Sequence, residues 1–399
     1  MRVIYVANVD LPNRYAHALQ VMKNAQAWSK ACEDFEFVTN LSLRRWRKID
    51  AVQIAELYGL SRTFRIVAYP FQRLEQSRFD RARRLYYRLA ARRCRRRRAD
   101  LVYTRTYLLP MYTLRFGIPT IVETHSPPEE TRDKDLLYRQ LRHPALLALV
   151  TISDALACRY RDFGIPGEKI LVAPDGVDLD SFRAPLERDA ARSQLGLPAG
   201  RFLAVYVGHL YEDRGIVDII RAASLLPEVA FVLVGGHEKD ITRWRSAIRV
   251  MALENVSLVG FVPNRLVPKY LWAADLLLMP YSSKCRTAEW MSPLKLFEYM
   301  ASGRPILASD IPSLRTVLSH GRNAWLCQAD DGEALARSIL HVMGRPDLSE
   351  ALARQALKDA QGYGWDGRVQ RILEFAKGRG GWAEASQQQR TTAGSQWGV

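Results

Sequence analysis

LLLMPYSSKCRTAEWMSPLKLFEYMASGRPILASD, residues Leu276–Asp310, reads in turn as strand, polar loop, helix and strand. The run Leu276–Tyr281 is almost wholly apolar, as a strand covered on both faces must be. Pro293 suits the first turn of the helix that follows, where its missing N–H is not needed. Pro305–Asp310 then returns to strand character. Strands alternating with helices in this way point to a parallel sheet with crossover helices.

The same alternation extends along most of the chain. Strand candidates in the first half are Val3–Asn8, Phe35–Asn40, Phe64–Tyr69, Leu101–Thr106, Thr120–His125 and Leu149–Ser153. In the second half Phe202–Gly208, Ala230–Gly236, Val256–Val262 and Ala324–Gln328 join the two already named. The turn-rich, charged stretch Pro174–Gly200 separates the halves. The reading is an α/β chain of two doubly wound, Rossmann-like parallel-sheet domains facing across a cleft. The domains expected are 1–182 and 201–362, joined by a linker at 183–200. The polar, low-complexity tail 378–399 is expected to be disordered. In sheets of this kind ligands bind off the carboxyl ends of the strands.

At about 150 residues per domain, 399 residues fit such a pair. A hydrophobic fraction of 48% with 25% charged residues excludes a fibrous or wholly disordered chain. No uncharged apolar run approaches the roughly 20 residues of a membrane span, and the N-terminus lacks the apolar core of a signal peptide. The five cysteines, Cys32, Cys94, Cys158, Cys285 and Cys327, are scattered and form no CxxC pair, which argues against a disulfide framework or structural zinc. A cytoplasmic enzyme is the expectation.

The net charge of +16 is concentrated in one place. Arg78–Arg98 holds 11 arginines against a single acid, Asp80. Read as a helix, it lines up Arg81, Arg84, Arg88, Arg92 and Arg95 on one face and turns Ala82, Leu85, Tyr86, Leu89 and Ala90 inward. Such a run is often only a solvated face. Here the self-repulsion of so many like charges favours an anionic partner, either a membrane leaflet or a lipid-diphosphate acceptor. No helix-turn-helix, zinc-finger or RNP pattern suggests nucleic acid.

Three clusters carry candidate chemistry. The helix opening at Ser292, Pro293, Leu294 and Lys295 presents backbone N–H groups and a positive dipole end at a strand's carboxyl edge, which suits phosphate. Lys295 and Glu298 are three apart, so both can face one ligand, and the carboxylate could accept two hydrogen bonds from a ribose diol; a solvated surface pair is the plainer alternative. Gly208-His-Leu-Tyr-Glu-Asp-Arg-Gly215 follows a strand directly. Gly208 there permits close approach of a ligand, and Arg214 could grip a diphosphate through its planar fork; a turn with a charged helix cap is the plainer alternative. Glu123-Thr-His125 ends another strand and places a histidine at the sheet's edge.

Taken together, the blocks Pro174–Phe182, Tyr206–Gly215, Gly260–Tyr281 and Ser292–Asp310 resemble the retaining nucleotide-sugar glycosyltransferases of family 4, whose two-domain architecture is called GT-B. The resemblance spans about Met1 to Lys377. It implies that His209 and Arg214 hold the donor diphosphate, where the family usually has Arg and Lys, and that Glu298 binds the donor ribose. His125 matches the histidine beside the transferred sugar. Residues 363–377 match the terminal helix that packs back on the first domain. The family's first glutamate falls on Trp290, with Glu289 one position off, and Ser292 and Lys295 stand nearby to replace it. The loop with Arg14 and His17 corresponds to the acceptor side.

Implied, then, is transfer from a nucleoside-diphosphate sugar to a glycan or lipid-linked acceptor in surface polysaccharide or glycolipid synthesis. No cofactor and no essential metal are expected, since no DxD motif appears at a strand end in the first half. The expected location is the inner face of the plasma membrane, peripherally bound. A sugar-nucleotide epimerase of the same fold and a non-catalytic basic binding module with a decayed donor site are the competing readings.

Overall fold

The computed structural model describes residues 1–72, 80–130 and 134–378. Two units emerge, Met1–Pro174 with the chain from Trp365 onward, and Asp175–Gly364. The first is built on strands β1 (Arg2–Val6), β2 (Asp34–Asn40), β3 (Arg65–Tyr69), β4 (Leu101–Thr104), β5 (Thr120–Thr124), β6 (Leu146–Thr151) and β7 (Ile170–Val172). These form one sheet in the order β3-β2-β1-β4-β5-β6-β7. The second is built on β8 (Leu203–Val207), β9 (Ala230–Val234), β10 (Val256–Gly260), β11 (Leu276–Met279), β12 (Ile306–Ser309) and β13 (Trp325–Cys327). Their order is β10-β9-β8-β11-β12-β13. Every paired strand in both sheets is parallel.

The sequence of β8, LAVYV, shows how the layers arise. Its five residues are all buried. Leu203, Val205 and Val207 enter one hydrophobic cluster, while Ala204 and Tyr206 enter the cluster on the other side. Alternation across a pleated strand accounts for this. A strand apolar on both faces demands helices on both faces, and the intervening segments supply them.

All twelve predicted strands are present, trimmed by a residue or more at most ends. β7 was not among them: it is a three-residue run, ILV, against which periodicity has no purchase. The units part at Pro174/Asp175, earlier than the boundary expected after residue 182. Residues 175–200 are no separate linker because their side chains are anchored in the second unit. Arg192 donates to the backbone carbonyl of Ala273 at 2.9 Å and pairs with Asp275 at 2.5 Å. Phe182 packs edge-on against Trp272. The chain then returns, and the helix Trp365–Lys377 belongs to the first unit, where Lys30 pairs with Asp366 at 3.1 Å. The tail from 379 on lies outside the described residues.

The arginine-rich segment is a helix, Asp80–Arg96. The side chain of Arg81, with Ala82, lies outside the described residues. The inward face differs from the expected one: Tyr86, Tyr87, Ala90, Ala91 and Cys94 are buried, whereas Leu85 is exposed. Carboxylates on β2 turn the helix this way. Arg93 forks onto Glu36, with its Nη2 at 2.8 Å, and Arg97 reaches Asp34 at 3.2 Å. Among the described residues no helix is long and apolar enough to cross a membrane.

Candidate active site

In the second sheet the strand order reverses between β8 and β11, the position where parallel sheets open a crevice at their carboxyl ends. β8 hands over there to Gly208, held at φ +147°. A Cβ on Gly208 would lie 2.7 Å from the Lys295 Nζ, so the lysine reaches right up to the loop backbone. Gly215 closes the same loop at φ +72°, and a Cβ there would sit 1.5 Å from the Pro280 carbonyl oxygen. Only glycine lets these two segments pass.

Lys295 comes from the first turn of the helix Leu294–Ala301. Its ammonium nitrogen is shut off from solvent and has no hydrogen-bond partner among the described residues. It rests 3.9 Å from the ring centre of Tyr206 and 5.0 Å from that of Tyr281. The Arg214 guanidinium lies 5.0 Å from the same Tyr281 ring, and donates to Cys285 Sγ at 3.0 Å and to Asp213 at 3.2 Å. Burial first and the Arg214 charge second drive the Lys295 pKa well below the usual amine range; Glu298 and Asp213 offset this in part. The pair is therefore short of negative charge. A dianion seated between the two groups would favour the protonated form of Lys295 and take the hydrogen bonds it lacks.

The structure places the remaining predicted residues around this pair unevenly. Glu298 accepts from Asn264 Nδ2 at 3.1 Å, which orients its carboxylate. Ser292 Oγ accepts from the Asp175 backbone N–H at 2.9 Å, a strut to the start of the unit. Pro293 caps the helix and Leu294 begins it, one position later than expected. His209 packs against both Tyr211 and His237, each ring centre 4.9 Å away. Burial, followed by His237, pushes its pKa down to about 4. In the unliganded chain this disfavours the charged form of His209, and Lys295 is a further cation beside Arg214. Trp290 is buried and Glu289 exposed.

In the first unit, Glu123 on β5 is the hub of a buried network. It accepts from Arg368 Nη2 at 2.8 Å, from Gln20 Nε2 at 3.0 Å, and from the Tyr103 hydroxyl. His125 Nε2 lies 2.6 Å from its Oε1. Burial raises the carboxyl pKa, but Arg368, then His125 and Arg105, outweigh that and hold it well below the usual range. An ionised Glu123 can only accept, so the proton of a neutral His125 is fixed on Nε2. Arg368 itself is fully buried and donates to the carbonyls of Ala173 and Pro174 at 3.0 and 2.8 Å.

His17 is exposed yet belongs to this neighbourhood: partial desolvation first, then Arg105 and His125, lower its pKa. Arg14 is exposed. Sequence reasoning picked out His125 yet gave no role to Arg368, Tyr103, Arg105 or Gln20. Sequence distance hides Arg368, which lies 245 residues from Glu123.

Comparison with known proteins now bears on these sites. Residues 201–345 match the family model described as glycosyl transferases group 1, and residues 43–181 match the one described as glycosyltransferase family 4. The chain belongs to glycosyltransferase family 4. It is 29% identical over 286 residues to the D-inositol 3-phosphate glycosyltransferase of Thermobispora bispora, covering 65% of each chain. To the amylovoran biosynthesis glycosyltransferase AmsK of Erwinia amylovora it is 30% identical over 216 residues, covering 52% of this chain and 51% of that one. The matches thus span half to about two thirds of these relatives' lengths. Among solved structures, Anabaena HepE in complex with UDP superposes with a TM-score of 0.73 at 18% identity, covering 95% of this chain and all of HepE. WaaG, a glycosyltransferase of lipopolysaccharide biosynthesis, gives a TM-score of 0.65 at 15% identity, over 94% of this chain and all of WaaG. The fold of this family member is GT-B.

Proposed function

We propose that this family 4 protein transfers a glycosyl unit from a nucleoside-diphosphate sugar to a hydroxyl group, with retention at the anomeric carbon. The observation that carries the reading is the enclosed Lys295 ammonium beside Arg214, at the switch point of a sheet. In the transfer step the bond between the anomeric carbon and the phosphate oxygen breaks, and negative charge builds on the leaving diphosphate. Arg214, Lys295 and the N–H groups opening the helix at Leu294 are the fixed donors for that charge; one such donor contributes about 3–4 kcal/mol of barrier lowering. Glu298, oriented by Asn264, holds the ribose. His125, its tautomer set by Glu123, meets the transferred sugar. The acceptor oxygen bonds to the anomeric carbon on the face the phosphate leaves, and its proton passes to the departing phosphate. No step needs a metal.

The acceptor in this reading is a lipid-linked glycan of surface polysaccharide or glycolipid synthesis, met at the inner face of the plasma membrane. Exposed Arg88, Arg92, Arg95 and Arg96 on the helix Asp80–Arg96 suit contact with an anionic leaflet.

A thermal-shift screen of UDP, GDP, ADP, CMP and their sugar conjugates, with and without EDTA, tests the donor reading, with UDP first because HepE was solved with it. A ligand that binds only the folded state raises the melting temperature. One nucleoside diphosphate should give a rise insensitive to EDTA, abolished in Lys295→Met and reduced in Glu298→Ala. No rise with any of them, on protein that melts cooperatively, would refute it.

A further inference from the structure

Beside the helix Asp80–Arg96 lies a hollow of about 830 Å³ that shares no residue with the His125 network. Arg92, Arg93, Arg95, Arg96 and Arg98 form its walls, and Leu89, Phe116 and Tyr69 supply its apolar surface. Arg98 and Phe116 come just before the starts of β4 and β5, whereas His125 follows the far end of β5.

Among the described residues the charge in this hollow is not answered by carboxylates of its own. Glu36 is already shared by Arg93, Arg97 and Arg65, the last two at 3.8 and 3.4 Å. Asp34 is shared by Arg2 and Arg97. Among the described residues no carboxylate pairs with Arg92, Arg95, Arg96 or Arg98. A helix C-terminus favours cations, which accounts for Arg95 and Arg96 in the last turn. It does not account for Arg98, which holds the left-handed position ending the helix, φ +51°, where glycine is usual. Its N–H bonds to the Arg95 carbonyl at 2.9 Å. A bulky residue kept in that conformation calls for a compensating role. The Arg95 guanidinium is laid over the Phe116 ring at 4.9 Å, so one planar fork is ordered before any ligand arrives.

We propose that this hollow is a second anion site, separate from the donor site, that binds a phosphomonoester or diphosphate group. Four guanidiniums without a carboxylate partner among the described residues match the charge of two phosphates, and planar forks pair with phosphate oxygens two at a time. The apolar surface fits the first carbons of a chain esterified to such a group. The inference deepens the membrane reading above and is independent of the transfer reading.

The test uses the full chain, vesicles matched in surface charge, and isothermal titration with inorganic pyrophosphate. One vesicle set carries phosphatidic acid, a phosphomonoester; the other carries phosphatidylglycerol, a diester. The expected result is at least tenfold tighter binding to phosphatidic acid, lost in the pair Arg95→Gln/Arg98→Gln and kept in the control pair Arg44→Gln/Arg47→Gln, which removes the same charge elsewhere. Pyrophosphate should bind wild type with an affinity that falls at least tenfold in the Arg95/Arg98 pair. Should pyrophosphate alone show that sensitivity, with neither vesicle bound, the anion site stands with a soluble ligand and the membrane reading fails. Should vesicles alone show it, the source is the lipid headgroup. Equal binding to both vesicle types, or equal losses in both arginine pairs, together with pyrophosphate binding that ignores Arg95 and Arg98, overturns the site. A thermal shift with nucleoside diphosphates, unchanged in the Arg95/Arg98 pair, keeps the donor question apart.

Discussion

Replacing Arg368 with methionine should undock the terminal helix from the first unit. The substitution keeps a long apolar side chain in the same space but removes the cation from a fully buried carboxylate, Glu123, and with it hydrogen bonds to Glu123, Ala173 and Pro174. Leaving a buried charge without its partner costs about 3–5 kcal/mol. Gln20, Tyr103 and His125 still reach Glu123, and Arg105 remains 3.8 Å from it, so the lower part of that range, about 3 kcal/mol, is expected. That is roughly a hundredfold increase in the open population. Hydrogen exchange of the amides in Trp365–Lys377 reads this opening directly.

The pH dependence is a second readout. The Glu123 pKa is depressed in the folded chain, so its contribution is full above the unfolded value of about 4.3 and is lost as pH falls through the folded pKa. The gap between wild type and variant should therefore be widest near neutrality and narrow in acid. Glu123→Gln made in the Arg368→Met background should restore part of the loss by removing the orphaned charge. An Arg368→Met protein whose terminal helix exchanges as slowly as wild type, or a double variant that is simply additive, would refute the coupling.

Other perturbations follow from the donor-side geometry. Gly208→Ala adds a carbon against the movable end of Lys295 in a backbone conformation that disfavours it; it should cost about 1–3 kcal/mol in a urea melt and weaken nucleoside-diphosphate binding. Gly215→Ala drives a carbon into the Pro280 carbonyl and should cost more stability than Gly208→Ala in the same melt. Because the Lys295 pKa is depressed before an anion binds, diphosphate binding should take up protons, seen as calorimetric heats that vary with buffer ionisation enthalpy, and should tighten as pH falls toward neutrality. The Asp218 carboxyl is raised to about 6 by burial and by Asp330 and Asp331; a raised carboxylate loses stability as pH climbs through its folded value. Asp218→Asn should therefore stabilise at pH 8 by about 1 kcal/mol, after allowance for the group's exposure, and leave the acid-side melting temperature unchanged.

The architecture was legible because runs such as LAVYV and LLLM can be stable only between two layers of helix. Gly208, Arg214, Lys295 and Glu298 could be singled out because each stands at a strand's end or in the first turns of the helix beyond, and the structure gathers them. The inward face of the arginine helix was legible only in part: Tyr86 and Ala90 are buried as expected, whereas Leu85 is exposed. Leucine spacing favours Leu85 and Leu89, but the β2 carboxylates pull Arg93 and Arg97 down and bring Tyr87, Ala91 and Cys94 inward with them. His209 looked like a cation in one dimension. Burial and the neighbouring His237, neither visible in the sequence, push its pKa down and disfavour the charged form. The network around Glu123 draws on four segments of chain, and no local pattern signals it.

The return of the chain to the first unit sets a timetable for synthesis. Glu123 leaves the ribosome 245 residues ahead of Arg368. At about 5–20 residues per second, the buried carboxylate waits on the order of 10–50 s for Arg368, with Arg105 the guanidinium beside it in the meantime. Through that interval the whole second unit emerges. The last helix thus acts as a latch: a chain cut short before Arg368 keeps every strand of both sheets and is left with a charge in its interior.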